Sequence, residues 1–149
     1  MESQKKGGFL IAKIHQLSQR IFAKILRKAN LTELNPAQGR IMFVLWQEDN
    51  ISINELSKRT LLSKSTLTSM LDRLEQSGFI KRVPSRTDRR EILIQLTNKD
   101  KNFQAKYVEV SKDMIMIYYN NFTEQEINKF EKYLERILNN LIEYNKKKK

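Results

Sequence analysis

Ser63-Lys64-Ser65-Thr66-Leu67-Thr68-Ser69-Met70-Leu71-Asp72-Arg73-Leu74-Glu75 is the stretch whose reading decides the fold. Its apolar positions Leu67, Met70, Leu71 and Leu74 fall on one helical face, and Gly78 supplies a stop. A short helix precedes it. Ser52 and Glu55 have capping-box spacing, Ile51 can staple onto Leu56, and that helix must end near Arg59 because Ser63 opens the next one. Two strand-like runs follow, Phe79 to Val83 and Glu91 to Leu96, joined by Pro84-Ser85-Arg86-Thr87-Asp88-Arg89-Arg90, which is too basic to be buried. Two helices on a tight turn, then a hairpin, is the layout of a winged helix-turn-helix.

Working outward, Leu34-Asn35-Pro36-Ala37-Gln38 starts another helix running to about Glu48. Asn35 is placed to cap it, Pro36 suits its first position, and Gln38 can reach back. Upstream, Leu10, Ile14, Leu17, Ile21 and Ile25 make one long apolar stripe between Phe9 and Lys28. Downstream, Thr97 with Asp100 reads as the cap of a helix carrying Phe103, Tyr107, Val110 and Met114. Thr123 with Glu126 opens a last helix with Phe130, Leu134, Ile137, Leu138 and Leu141. The expected class is mainly α with a small β-hairpin wing (α+β). Residues 34–97 form the winged helix-turn-helix, and the helical segments 1–33 and 98–149, too apolar to stand alone, form a dimerisation module.

The surface of the second helix of the pair suits a polyanion. Its unburied residues are Ser63, Lys64, Ser65, Thr66, Thr68, Ser69, Asp72 and Arg73, and small hydroxyl residues at a helix start offer both side-chain and backbone donors. An ordinary solvated Ser/Thr helix would carry the same residues. The hairpin adds Lys81, Arg82, Arg86, Arg89 and Arg90, and arginines at a hairpin tip can follow phosphates or enter a narrow minor groove. A charged edge that discourages strand pairing is the alternative. Together they favour duplex DNA as partner, with Gln38 and Arg40 of the preceding helix included in the DNA-facing set.

Composition agrees and narrows the classes. The 149 residues carry a formal charge of +11, part of it in the solvated tail Lys146 to Lys149. Cysteine is absent, which excludes disulfides and thiol chemistry. The N-terminus Met1-Glu2-Ser3 onward has no continuous apolar leader, and no stretch is long enough to span a membrane, so a cytoplasmic protein is expected. No cofactor or metal is implied, since a single histidine without cysteine would leave zinc mostly carboxylate ligands. An enzyme is the first rival class, but His15 has no serine-elbow or paired-carboxylate context. A winged helix used for protein or RNA contacts is the second, although such a module usually loses the basic wing or gains stacking aromatics.

The series Leu34-Asn35-Pro36-Ala37-Gln38, Glu55-Leu56-Ser57, Ser63 to Thr68, Leu71-Asp72-Arg73-Leu74-Glu75 through Gly78-Phe79-Ile80, and Asp88-Arg89-Arg90 resembles the MarR family of bacterial regulators. The resemblance implies a homodimer built through N- and C-terminal helices, acting as a repressor on a pseudo-palindromic operator. Each subunit would put one recognition helix into the major groove, with Arg90 reaching the minor groove and Asp88 orienting arginines. It also implies release by a small phenolic or lipophilic effector, for which His15, Met42 and Trp46 are the candidate contacts. Met and Trp four apart on a helix are more often ordinary core. Three positions depart from the family pattern. Ser69 stands where arginine is frequent, and Gly39 where a bulkier residue is common. Thr60-Leu61-Leu62 occupies a turn usually holding glycine, so a turn of different construction is expected there.

Overall fold

The computed structural model describes residues 4–147, with the side chains of residues 100 and 101 excepted. The readings made on Met1 to Ser3, on the Asp100 side chain and on Lys148 and Lys149 lie outside the described residues. The chain forms two compact units, Met1–Val110 and Ser111–Lys149. In order the elements are α1 (Gly7–Lys28), α2 (Pro36–Gln47), β1 (Ile51–Ser52), α3 (Ile53–Thr60), α4 (Lys64–Gln76), β2 (Ile80–Pro84), β3 (Ile92–Leu96), α5 (Asp100–Tyr118) and α6 (Glu124–Lys147).

Local chemistry explains most of the boundaries. Asn35 accepts from the Gln38 N–H at 2.7 Å while the Gln38 side chain accepts from the Asn35 N–H at 3.0 Å, a complete capping box that starts α2. Ser52 caps α3 through the Glu55 N–H, and Thr123 and Glu126 close the reciprocal box before α6. The Thr97 hydroxyl donates to the Gly78 carbonyl and its N–H to that of Phe79, which ties the threonine to the end of α4, and α5 begins at Asp100.

The sheet has the order β1-β3-β2, antiparallel throughout, with Ile51 opposite Ile94, Arg82 opposite Ile94 and Ile80 opposite Leu96. The two-residue strand β1 is absent from the sequence reading, because so short a segment carries no alternation of its own. Behind the sheet, Leu56, Leu67, Leu71, Leu74, Phe79, Ile80 and Ile94 pack into one core with Ile41, Met42 and Leu45 of α2. Phe103, Tyr107 and Val110 from the first turns of α5 close that core. The second unit, taken by itself, is stapled by the Tyr119 hydroxyl on Glu131 at 2.7 Å and by edge-on contacts of Tyr119 with Phe122 and Phe130.

Candidate nucleic-acid interface

Helix α4 is fixed at both ends. At its start the Ser63 hydroxyl accepts from the Thr66 N–H at 3.3 Å and donates to the Thr66 hydroxyl at 2.9 Å. At its end the Gly78 N–H reaches Glu75 and the Phe79 N–H reaches Leu74, the paired bonds of a Schellman motif. Gly78 sits at φ +84°, which requires glycine. Leu67, Leu71 and Leu74 are buried beneath, Met70 is half-buried, and Ser63, Lys64, Ser65, Thr66, Thr68, Ser69 and Arg73 are all exposed. The sequence-predicted face of the helix is therefore assembled and open.

The turn before α4 keeps the left-handed geometry despite its leucine. Leu61 adopts φ 58°, ψ 19° as the cap of α3, so the expectation of a differently built turn is corrected. Hydrogen bonds over-determine it. The Leu61 N–H donates to Ser57 O at 2.8 Å, the Ser57 hydroxyl to Leu62 O at 2.9 Å, and the Leu62 N–H to the Thr60 hydroxyl at 3.3 Å.

In the hairpin the arginines divide into two groups. Arg86, Arg89 and Arg90 are exposed at the tip, and the Arg90 side chain is 93% exposed. Asp88 organises this tip: its carboxylate accepts from the Arg90 N–H at 3.0 Å and lies 3.6 Å from the Arg90 Nε. The Ser85 hydroxyl accepts from the Thr87 and Asp88 N–H groups, so Asp88 is a turn residue and an arginine partner together. Arg82, counted from sequence among the wing cations, is instead drawn onto α4. Its Nη2 lies 2.7 Å from Asp72 Oδ1 and its Nη1 3.4 Å from Glu75 Oε1.

Other sequence-predicted residues are distributed less simply. Arg40 is exposed on α2, whereas Gln38 is buried and spent in the α2 cap. Met42 is fully buried in the core, Trp46 is half-buried with its ring 5.4 Å from that of Tyr107, and His15 is exposed on α1. Met42 thus belongs to the core, whereas His15 faces solvent. An open cleft of about 580 Å³ lies between α1 and the start of α2, lined by Gln16, Gln19, Arg20, Ala23, Asn35, Pro36 and Ala37. Gly39 has a definite reason: a Cβ there would collide with the Tyr107 hydroxyl, so the space beside α2 is filled from α5. Burial pushes the Tyr107 phenol up to about 12.

Sequence reasoning missed Lys99. Its ammonium donates to the Ser77 carbonyl at 2.6 Å, pairs with Glu33 at 3.1 Å and lies 5.0 Å above the Phe79 ring. With Thr97 it satisfies the Ser77 and Gly78 carbonyls just past the end of α4. A lysine three residues beyond a strand carries no sequence signal for such a role. Among the described residues no cluster could hold a metal ion, and no helix is long and apolar enough to cross a membrane.

Comparison with known proteins places this geometry. Residues 34–92 match the model of the MarR family. The chain is similar to the HTH-type transcriptional regulator TtmR of Methylorubrum extorquens, 39% identical over half of this chain and 38% of that one. It is also similar to the HTH-type transcriptional regulator YfiV of Bacillus subtilis, 31% identical over 58% of this chain and 60% of the relative. The matches thus span less than two thirds of the length of either relative. Among solved structures, a MarR variant from E. coli in complex with operator DNA superposes with a TM-score of 0.77 at 26% identity, covering 88% of this chain and 92% of that one. These relatives are transcription regulators rather than enzymes. Over residues 34–92, which hold the winged helix and its wing motif, the chain carries a MarR-family domain.

Proposed function

We propose that this chain is a sequence-specific DNA-binding transcriptional regulator, a repressor that binds a pseudo-palindromic operator as a homodimer. The observation that carries the reading is the juxtaposition, within one compact unit, of the open hydroxyl and lysine face of α4 and the exposed Arg86–Arg90 tip. A helix with small residues at its start fits the major groove, and a guanidinium-rich tip one hairpin away fits the flanking backbone or minor groove. The similar E. coli protein bound to operator DNA supports the same use of the fold. Segments 1–33 and 98–149 serve as the dimerisation module, and 34–97 as the reader, with half-site centres about one helical turn apart.

Release of DNA by a small-molecule effector is the second part of the reading. The site proposed for it is the open cleft between α1 and the start of α2, where Gln16, Gln19, Arg20 and Asn35 offer polar contacts. An effector acts there only if it binds the release-competent arrangement more tightly. Titrating substituted phenols against a preformed operator complex tests this: release must saturate with concentration, and no release across the panel removes the effector from the proposal.

Binding to random duplex DNA and to single-stranded RNA, each measured across salt, tests the central claim. The expected result is a steep slope on duplex that exceeds the slope on RNA. Arg90→Ala should weaken duplex binding about tenfold and reduce the slope by roughly one charge. A shallow slope on DNA, or an Arg90→Ala variant that binds like the parent, overturns the wing assignment.

A further inference from the structure

We propose that Arg82 is a positioning residue of the DNA reader, which locks the root of the wing onto α4 without contacting DNA itself. The inference rests on the DNA-binding reading above and adds a role to a residue outside its contact set. Four attachments carry it. The Arg82 guanidinium meets Asp72 Oδ1 at 2.7 Å, Glu75 Oε1 at 3.4 Å and the Thr68 carbonyl at 3.3 Å. Its backbone N–H also donates to Glu75 Oε2 at 3.2 Å. Thr68, Asp72 and Glu75 stand at positions i, i+4 and i+7 of α4, one stripe of the helix. Strand β2 lies at the edge of the sheet, so the Glu75 carboxylate also covers an N–H that the sheet leaves open.

The contrast within the hairpin separates this arginine from the others. The Arg82 side chain is 24% exposed and that of Arg90 is 93% exposed. The Arg82 Nε is buried without a hydrogen-bond partner. A guanidinium so enclosed cannot swing out to a phosphate without giving up contacts to three residues of α4. Its rigid fork also suits a two-carboxylate cradle better than an ammonium would. The same contacts neutralise Asp72 and Glu75, acids on the helix that meets a polyanion. Arg82 thus sets the distance and angle between the major-groove helix and the wing, on which discrimination between operator and random DNA depends.

Parent, Arg82→Gln, Arg82→Lys and Asp72→Asn are compared for binding to a selected operator and to random duplex across salt, with thermal unfolding of each as a check on folding. For Arg82→Gln the expected result is an operator affinity at least tenfold weaker, a much smaller loss on random duplex, and an unchanged salt slope. Arg82→Lys should restore part of the discrimination. Asp72→Asn should also lower the operator-to-random ratio. A slope reduced by about 0.9, with equal losses on both DNAs, would make Arg82 a phosphate contact and overturn the proposal. So would an Asp72→Asn variant that binds both DNAs more tightly, because that is the outcome of simple repulsion. Parent-like binding by Arg82→Gln overturns the positioning role alone, whereas a parent that fails to bind duplex overturns the DNA reading with it. Asp72→Asn leaves the Arg82–Glu75 contact in place, so the question remains answerable if Arg82→Gln does not fold.

Discussion

Helices α4 and α6 are both amphipathic, yet they bury their apolar faces to very different extents. Leu67 and Leu71 of α4 are fully buried and Leu74 is 1% exposed. No residue of α6 is buried, although Phe130, Leu134, Ile137, Leu138 and Leu141 make a longer apolar stripe. The difference lies in what surrounds each helix. Strands β2 and β3 and helices α2 and α3 supply α4 with a core inside its own unit. Helix α6 leaves its apolar face exposed, and a face of that length is what the homodimer proposed above would cover. The N-terminal part of α1 shows the same property, with Phe9, Leu10, Ile11, Ile14 and Leu17 exposed. One helix is thus completed by its own chain, and the other accords with the homodimer proposed above.

The comparison breaks most visibly at α6. Leu134→Glu combined with Leu138→Glu should convert a dimer into a monomer by sedimentation. The fluorescence of Trp46, which reports the core of the first unit, should keep its parental unfolding transition. Operator affinity should fall by about 10²-fold or more, because two half-sites are no longer engaged through one tethered pair. A double variant that sediments as the parent would remove α6 from the interface. On α4 the corresponding change acts on stability instead of assembly. Leu71→Ala should cost about 2–5 kcal/mol, read by chemical unfolding, since it empties a fully enclosed site. A cost below about 1 kcal/mol would mean that the core beneath α4 collapses around the gap, and the contrast between the helices would lose its basis.

What was legible in the sequence follows the same division. Periodic faces and caps were legible because each is written in residues three or four apart. The Asn35–Gln38 box, the Ser63 cap and the Gly78 stop all stand where spacing put them. Features that depend on a partner chosen in three dimensions were not. Arg82 reads as one more wing cation until Asp72 and Glu75 are seen beneath it. Thr97 reads as a cap from its spacing, and nothing in that spacing shows its bond to the Gly78 carbonyl. Met42 and Trp46 share a helical face, yet the core takes Met42 whole. The exposure of the α4 hydroxyls and the tip arginines was legible because it is decided locally, whereas Gln38, read as DNA-facing, is buried in the α2 cap. A cleft was not legible, because it is a property of two elements at once.

The smallest expected effect falls at the turn that joins α3 to α4, where completion within the chain has a cost. Leu61 holds φ 58°, a conformation that disfavours a residue with a Cβ by about 1–2 kcal/mol. The residue is 59% exposed, so little burial offsets that cost. The bonds from Ser57, Thr60 and Leu61 hold the turn regardless. Leu61→Gly should therefore stabilise the first unit by about 0.5–1 kcal/mol, after the greater chain entropy of glycine is subtracted. Operator affinity should stay within about twofold, since the turn geometry that aims α4 is already the one glycine prefers. If Leu61→Gly instead destabilised the protein, the leucine side chain would have to be making contacts that its exposure denies. The aim of the recognition helix would then depend on packing at this turn rather than on its hydrogen bonds.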